Sequence, residues 1–232
     1  MNLCVIPARG GSKRIPRKNV KEFYGKPMIA WSIEAALESR VFDRIIVSTD
    51  DAEIAEVAKN FGAEVPFWRP AELSGDYAGT IPVIAHAIER MAQEGTQAEN
   101  VCCVYATAPF IQSSDIRSAL EKLHSTGTDY VFTVTSFPFP IQRAVRIDSS
   151  DRVSMFFPEH FNTRSQDLEE AYHDAGQFYW GKVEAWLSEK RIFTSQSSPF
   201  VLPRYRVQDI DTPEDWTRVE WMFKAMREST TL

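Results

Sequence analysis

Ile6-Pro7-Ala8-Arg9-Gly10-Gly11-Ser12-Lys13-Arg14-Ile15-Pro16-Arg17-Lys18-Asn19 lies between an apolar run, Leu3 to Ile6, and Pro27 to Leu37, which has the apolar spacing of a helix. The run before it reads as a buried strand, so the quoted stretch is a strand-to-helix loop. It gathers Arg9, Lys13, Arg14, Arg17 and Lys18 around the adjacent Gly10 and Gly11. Glycine lets backbone N–H groups face an anion without Cβ interference, and the cations supply opposite charge. A polyphosphate is the ligand such a loop favours. The spacing fits neither the Walker phosphate loop nor the three-glycine dinucleotide fingerprint.

Outward from this loop the chain alternates strand and helix. Arg44 to Ser48 is a short apolar run suited to a parallel strand, and Thr49-Asp50-Asp51 after it can cap a helix over Ala52 to Asn60, which Gly62 stops. Ala63 to Phe67 reads as a third strand. This order predicts a Rossmann-like, three-layer α/β/α fold with a mostly parallel sheet and right-handed crossovers. Ligands of such sheets bind at the carboxyl ends of the strands, where Arg9 to Lys18 begins.

Further along, a helix is expected from Thr80 to about Glu94, a buried strand at Val101 to Tyr105, a helix capped by Ser113-Ser114-Asp115 and running through Lys122, and a strand at Tyr130 to Ser136. His86 on the first of these helices reads as a packing residue. From Phe137 to about Asp174 the alternation lapses into an aromatic, proline-punctuated arm, and a loop that long usually has a function. A helix over Val183 to Glu189, a strand at Val201-Leu202 and a last helix to about Met226 complete the reading. Before that helix stands Asp209-Ile210-Asp211. If the backbone is extended there, the two carboxylates point to one side, in reach of one hard cation.

Composition narrows the partners. The 232 residues carry 26 Lys+Arg against 32 Asp+Glu, a net charge of −6, so bulk attraction to nucleic acid or an anionic membrane is not expected. No run approaches the roughly 20 apolar residues of a membrane span, and the start lacks the pattern of a signal peptide. Cys4, Cys102 and Cys103 lie inside apolar runs and read as reduced core residues. A cytoplasmic protein is the expectation.

Ala8-Arg9-Gly10-Gly11-Ser12-Lys13, followed by Pro16 and Lys18-Asn19, resembles the signature of the nonulosonate cytidylyltransferases, which join CMP to sialic acid and its relatives. The resemblance covers nearly the whole chain and implies a single domain, 1–232, of the nucleotide-diphospho-sugar transferase type, with the arm at about 137–174 pairing with a second subunit. It implies CTP and a nonulosonic acid as substrates, Mg²⁺ on Asp209 and Asp211, and Arg69 of Arg69-Pro70-Ala71-Glu72-Leu73 reading the pyrimidine edge. The nucleotide set is then Ala8, Arg9, Gly10, Gly11, Ser12, Lys18, Asn19 and Arg69, with Arg9, Lys18 and Asp211 as the catalytic residues.

Relatives that use sialate show Gln-Pro-Thr-Ser-Pro where this chain has Tyr105-Ala106-Thr107-Ala108-Pro109, which points to a different sugar. Gln166-Asp167-Leu168-Glu169 and His173-Asp174-Ala175-Gly176-Gln177-Phe178-Tyr179 resemble the pseudaminic acid cytidylyltransferases, which serve bacterial flagellin glycosylation. Arg164 suits a sugar carboxylate, and Tyr105, Thr107, Gln166, His173, Gln177 and Tyr179 suit amides and hydroxyls. N-acetylneuraminate or an octulosonate as the acid, a sugar-1-phosphate nucleotidylyltransferase, and a non-catalytic nucleotide-binding protein remain the alternatives.

Overall fold

The computed structural model describes residues 1–230. Its strands are β1 (Asn2–Pro7), β2 (Glu22–Phe23), β3 (Lys26–Pro27), β4 (Arg44–Ser48), β5 (Asn100–Val104), β6 (Tyr130–Ser136), β7 (Val145–Ile147), β8 (Val153–Met155), β9 (Tyr172–Lys182) and β10 (Ser197–Val201). The α-helices are α1 (Met28–Ser39), α2 (Ala52–Asn60), α3 (Thr80–Gln93), α4 (Ser113–Thr126), α5 (Val183–Leu187) and α6 (Pro213–Thr230). Six strands form the central sheet in the order β10-β6-β9-β5-β1-β4. β1 pairs in parallel with both β4 and β5, and β10 pairs in parallel with β6. β9 runs antiparallel to both of its neighbours.

Alternation along β1 explains the layers, because successive side chains of a strand point to opposite faces. Cys4 and Ile6 join Ile29 and Ile33 of α1, Ile54 of α2 and Ile116 of α4 on one face. Leu3 and Val5 join Ile84 and Ile88 of α3 and Trp186 of α5 on the other. The three-layer fold expected from the order of elements is the fold observed. All three cysteines are buried and unbridged.

Three local expectations change. Residues 63–67 form only one isolated bridge, Ile46 to Glu64, and a second, Thr49 to Trp68, lies just beyond them. Pro66 lies between those bridges and has no N–H to give a ladder. α4 starts without a side-chain cap and runs on to Thr126, where Gly127 closes it with φ 65°. Asp115 does not cap because its carboxylate binds Arg206 at 2.6 Å. The arm ends earlier than Asp174: Tyr172, His173 and Asp174 already pair with Ser136, Thr135 and Val134 of β6.

A third cluster fixes the site. Ile15 of the basic loop and Ile210 of the late acidic segment are both buried against Phe23, Phe110 and the α6 residues Trp216, Val219 and Phe223. α6 is held by a reciprocal cap in which Asp215 N–H donates to Thr212 Oγ1 at 3.2 Å and Thr212 N–H donates to Asp215 Oδ2 at 2.8 Å. Hydrophobic burial on α6 therefore draws segments nearly 200 residues apart to one place.

Candidate active site

The basic loop leaves β1 at the carboxyl edge of the parallel strands, where Ala8 N–H donates to Ser48 O at 3.0 Å. Asn19 is buried and its amide donates to Arg9 O at 2.9 Å, tying the two ends of the loop together. Ser12 Oγ donates to Ile15 O at 2.6 Å. Gly10 N–H donates to Asp50 Oδ1 at 2.9 Å, so a carboxylate oxygen takes the amide expected to meet phosphate. A Cβ on Gly10 would come within 2.5 Å of Asp51 Oδ2, so only glycine lets the loop lie this close to the start of α2.

Lys18 and Asp211 meet. Lys18 Nζ is 3.7 Å from Asp211 Oδ1 and donates to Ile210 O, while Arg14 NH2 lies 2.8 Å from the same Asp211 oxygen. Arg9 NH1 and Lys13 Nζ bind the two oxygens of Asp76 at 2.7 and 2.5 Å. Hydrogen bonds from Lys13 and then Arg9 hold the Asp76 carboxyl below the usual carboxylate range. Arg17 turns away to Asp51 and Glu53 of α2. Its hydrogen bond keeps the Asp51 pKa low while Asp51 also accepts from Ile54 N–H as the helix cap.

These groups surround a cavity of about 560 Å³ whose lining includes Arg9, Ser12, Lys18, Asn19 and Asp211 together with Tyr105 and Thr107. The Tyr105 hydroxyl bonds Thr80 Oγ1 at 2.8 Å, and burial pushes its pKa up to about 12, so it is a neutral hydrogen-bonding wall. Lys13, Arg14 and Asp76 also line this cavity and were absent from the candidate set. The two cations were visible as loop charges; nothing in the sequence marked Asp76 beyond its place in a turn-rich segment.

Arg69 is 6% exposed, and its backbone N–H donates to Thr49 O at 2.9 Å. Its Nε and NH2 have no hydrogen-bond partner among the described residues, although Asp50 Oδ1 lies 3.9 Å from NH2. Burial lowers the pKa of this guanidinium, Asp50 partly opposes that, and Arg9 adds to it. A buried cation with idle donors is costly unless something accepts from them. The surface pairing to Glu72 or Asp76 that a solvent-exposed arginine would make does not occur: Asp76 is held by Arg9 and Lys13.

Asp209 and Asp211 are close enough to feel each other. Surrounding protein atoms raise the Asp209 pKa, Asp211 raises it further, and Lys18 opposes both. This repulsion between carboxylates is what a bound cation would relieve. No group of three His, Cys, Asp or Glu side chains fit for a metal occurs among the described residues, so the protein offers a pair of carboxylates at this place rather than a closed cage. That donor set fits Mg²⁺, which keeps water and substrate oxygens as ligands.

Other candidates lie elsewhere. Ala8 is 1% exposed and packs in the core. Gly11 is exposed and a Cβ there would meet nothing, so no close approach demands it. Tyr179 is 2% exposed, sits behind Tyr105 with ring centroids 5.3 Å apart, and gives its hydroxyl to Asp174. Gln177 is buried and donates to Arg206 O at 2.5 Å, so it holds the segment leading to Asp209 instead of lining the cavity. His173 packs edge-on against Phe137. Arg164 and Gln166 are exposed on the arm, where Arg164 is paired with Asp167 at 2.7 Å. β9 is buried over most of its length, and the arm has no contact with this cavity, which is why these five do not reach it.

A solved CMP:2-keto-3-deoxy-manno-octonic acid synthetase, complexed with CTP, aligns with a TM-score of 0.71 over 97% of this chain and 99% of its own, at 16% identity. That likeness is one of fold, an α/β class with a mostly parallel sheet, and this chain sets a basic cavity at the carboxyl edge of those strands. The chain matches the family model described as Cytidylyltransferase over residues 3–227 and belongs to that family. A pseudaminic acid cytidylyltransferase of Campylobacter jejuni is 49% identical over 228 residues, 98% of each chain. A CMP-N,N'-diacetyllegionaminic acid synthase of Legionella pneumophila is 33% identical over 234 residues, again 98% of each chain.

Proposed function

We propose that this chain transfers CMP from CTP to pseudaminic acid, giving CMP-pseudaminic acid and pyrophosphate for the glycosylation of a bacterial surface protein such as flagellin. The observation that carries the reading is the meeting of Lys18 with Asp211 across one cavity walled by the basic loop. The choice of acid leans on the relative at 49% identity over nearly the full length.

Phosphoryl transfer of this kind demands alignment and charge neutralisation more than covalent catalysis. Arg9, Lys13, Arg14 and Lys18 would exchange their present carboxylate partners for triphosphate oxygens. Lys18, beside Asp211, would offset charge at the α-phosphorus as the sugar's anomeric hydroxyl attacks in line and pyrophosphate departs. Mg²⁺ held by Asp209 and Asp211 would supply Lewis-acid charge and lower the pKa of that hydroxyl. Arg69, with idle Nε and NH2 donors, would donate to the acceptor edge of cytosine, and Tyr105 and Thr107 would face the sugar.

The arm would pair two copies of the chain. Phe139, Phe156 and Phe161 are 78%, 55% and 69% exposed on it, too much apolar ring surface to leave in water. In such a homodimer Arg164 and Gln166 would reach the neighbour's sugar site. Work in the cytoplasm is supported by the reduced, buried thiols and by the lack, among the described residues, of any helix long and apolar enough to cross a membrane. The test is pyrophosphate release from CTP against a panel of pseudaminate, N-acetylneuraminate and octulosonate, with and without Mg²⁺. Turnover highest with pseudaminate is expected; product with no acid, or only with a sugar phosphate, refutes the reading. Light scattering should give twice the chain mass.

A further inference from the structure

Asp76 engages the nucleotide cations without being accounted for by the transfer chemistry. Its two carboxylate oxygens span Arg9 and Lys13, at 2.7 and 2.5 Å, and it lines the same cavity as Lys18 and Asp211. It arrives on residues 74–79, between a turn at Ala71–Leu73 and the start of α3. That segment is lightly held. Gly75 and Tyr77 on either side are exposed, the Tyr77 side chain wholly so, and Ala78 N–H reaches Gly75 O only at 3.3 Å.

A carboxylate and a phosphate oxygen compete for the same charged donors. Surface ion pairs are weak one at a time, so a polyphosphate carrying several charges can displace Asp76, and Asp76 can reclaim the cations when a smaller anion is left behind. We infer that Asp76 acts as an internal phosphate mimic, yielding Arg9 and Lys13 to the incoming triphosphate and competing with pyrophosphate for them after transfer. This rests on the nucleotide reading above and adds to it a residue that governs exchange rather than chemistry.

Asp76→Asn tests it, since the side chain is 40% exposed and the change keeps its shape. Titration calorimetry with inorganic pyrophosphate and with CTP should show binding about fivefold tighter than wild type, the loss of two surface pairs. Inhibition of the forward reaction by added pyrophosphate should strengthen by a similar factor, with kcat lowered as pyrophosphate release slows and the KM for CTP lowered as well. Glu72→Gln, an equal charge change on the preceding turn, is the control for a general field effect. Unchanged or weaker pyrophosphate binding by Asp76→Asn, or an equal gain in Glu72→Gln, overturns the inference. Wild-type protein that binds neither CTP nor pyrophosphate instead removes the nucleotide reading and this inference together.

Discussion

Replacing Lys18 with alanine separates catalysis from folding. In the structure the Lys18 ammonium makes one hydrogen bond, to Ile210 O, and one partly exposed ion pair, 3.7 Å from Asp211. Losing both costs the fold about 1–2 kcal/mol. For a domain of this length that lowers the melting temperature by about 2–8 °C. The reaction loses more. Withdrawing one preorganised charge from a transition state in a water-poor site typically lowers turnover by about 10² to 10³, or about 3–4 kcal/mol of barrier. Initial rates of pyrophosphate release with saturating CTP and acid, beside a thermal melt, measure the two effects on one preparation. A folded variant that keeps more than about a tenth of wild-type turnover refutes the placement of Lys18 at the transferring phosphorus.

Other changes probe the framework. Asp115→Ala strands the Arg206 guanidinium, 9% exposed in its side chain, without its partner, and should cost about 3–5 kcal/mol in urea unfolding; a loss below about 1 kcal/mol would mean the pair is solvated. Gly181→Ala places a Cβ 2.5 Å from Trp186 Nε1 and 2.6 Å from the Tyr130 ring, both packed, and should destabilise by about 1–3 kcal/mol or more, against near neutrality if the rings can move. Asp209→Asn tests the carboxylate repulsion by pH. Because the Asp209 pKa is raised in the folded state, its charged form costs stability above that pKa, and the cost fades as pH falls toward the ordinary aspartate value near 4. The variant should therefore melt higher than wild type at pH 7, with the gap closing in acid, and lose Mg²⁺-supported turnover; equal melting at pH 7 counts against the repulsion.

Legibility from sequence followed the strength of local signals. The strand Leu3 to Ile6 and the helix over Ala52 to Asn60 carry apolar periodicity that burial then uses, and both form where expected. Ala63 to Phe67 is apolar enough for a strand, yet Pro66 denies it a continuous ladder. β9 escaped notice because its first half, Tyr172-His173-Asp174-Ala175-Gly176-Gln177, is polar and lacks alternation; pairing on both sides makes it a strand. At the site, the cations and the acidic pair were readable by charge and spacing. The burial of Arg69, the retreat of Tyr179 behind Tyr105 and the Asp76 bridge were not, since each depends on which segments fold over which.

β9 sits between β5 and β6 in space but follows both in sequence. Until the ribosome has delivered residues 172–182, β4-β1-β5 and β6 are separate pieces, each with an open edge. The missing slat has to enter from the far end of a 35-residue detour, 137–171, so joining the two parts of the sheet waits on long-range contact. Growing chains of this protein thus carry bare backbone edges through much of their synthesis, a period in which strand-to-strand clumping competes with completion.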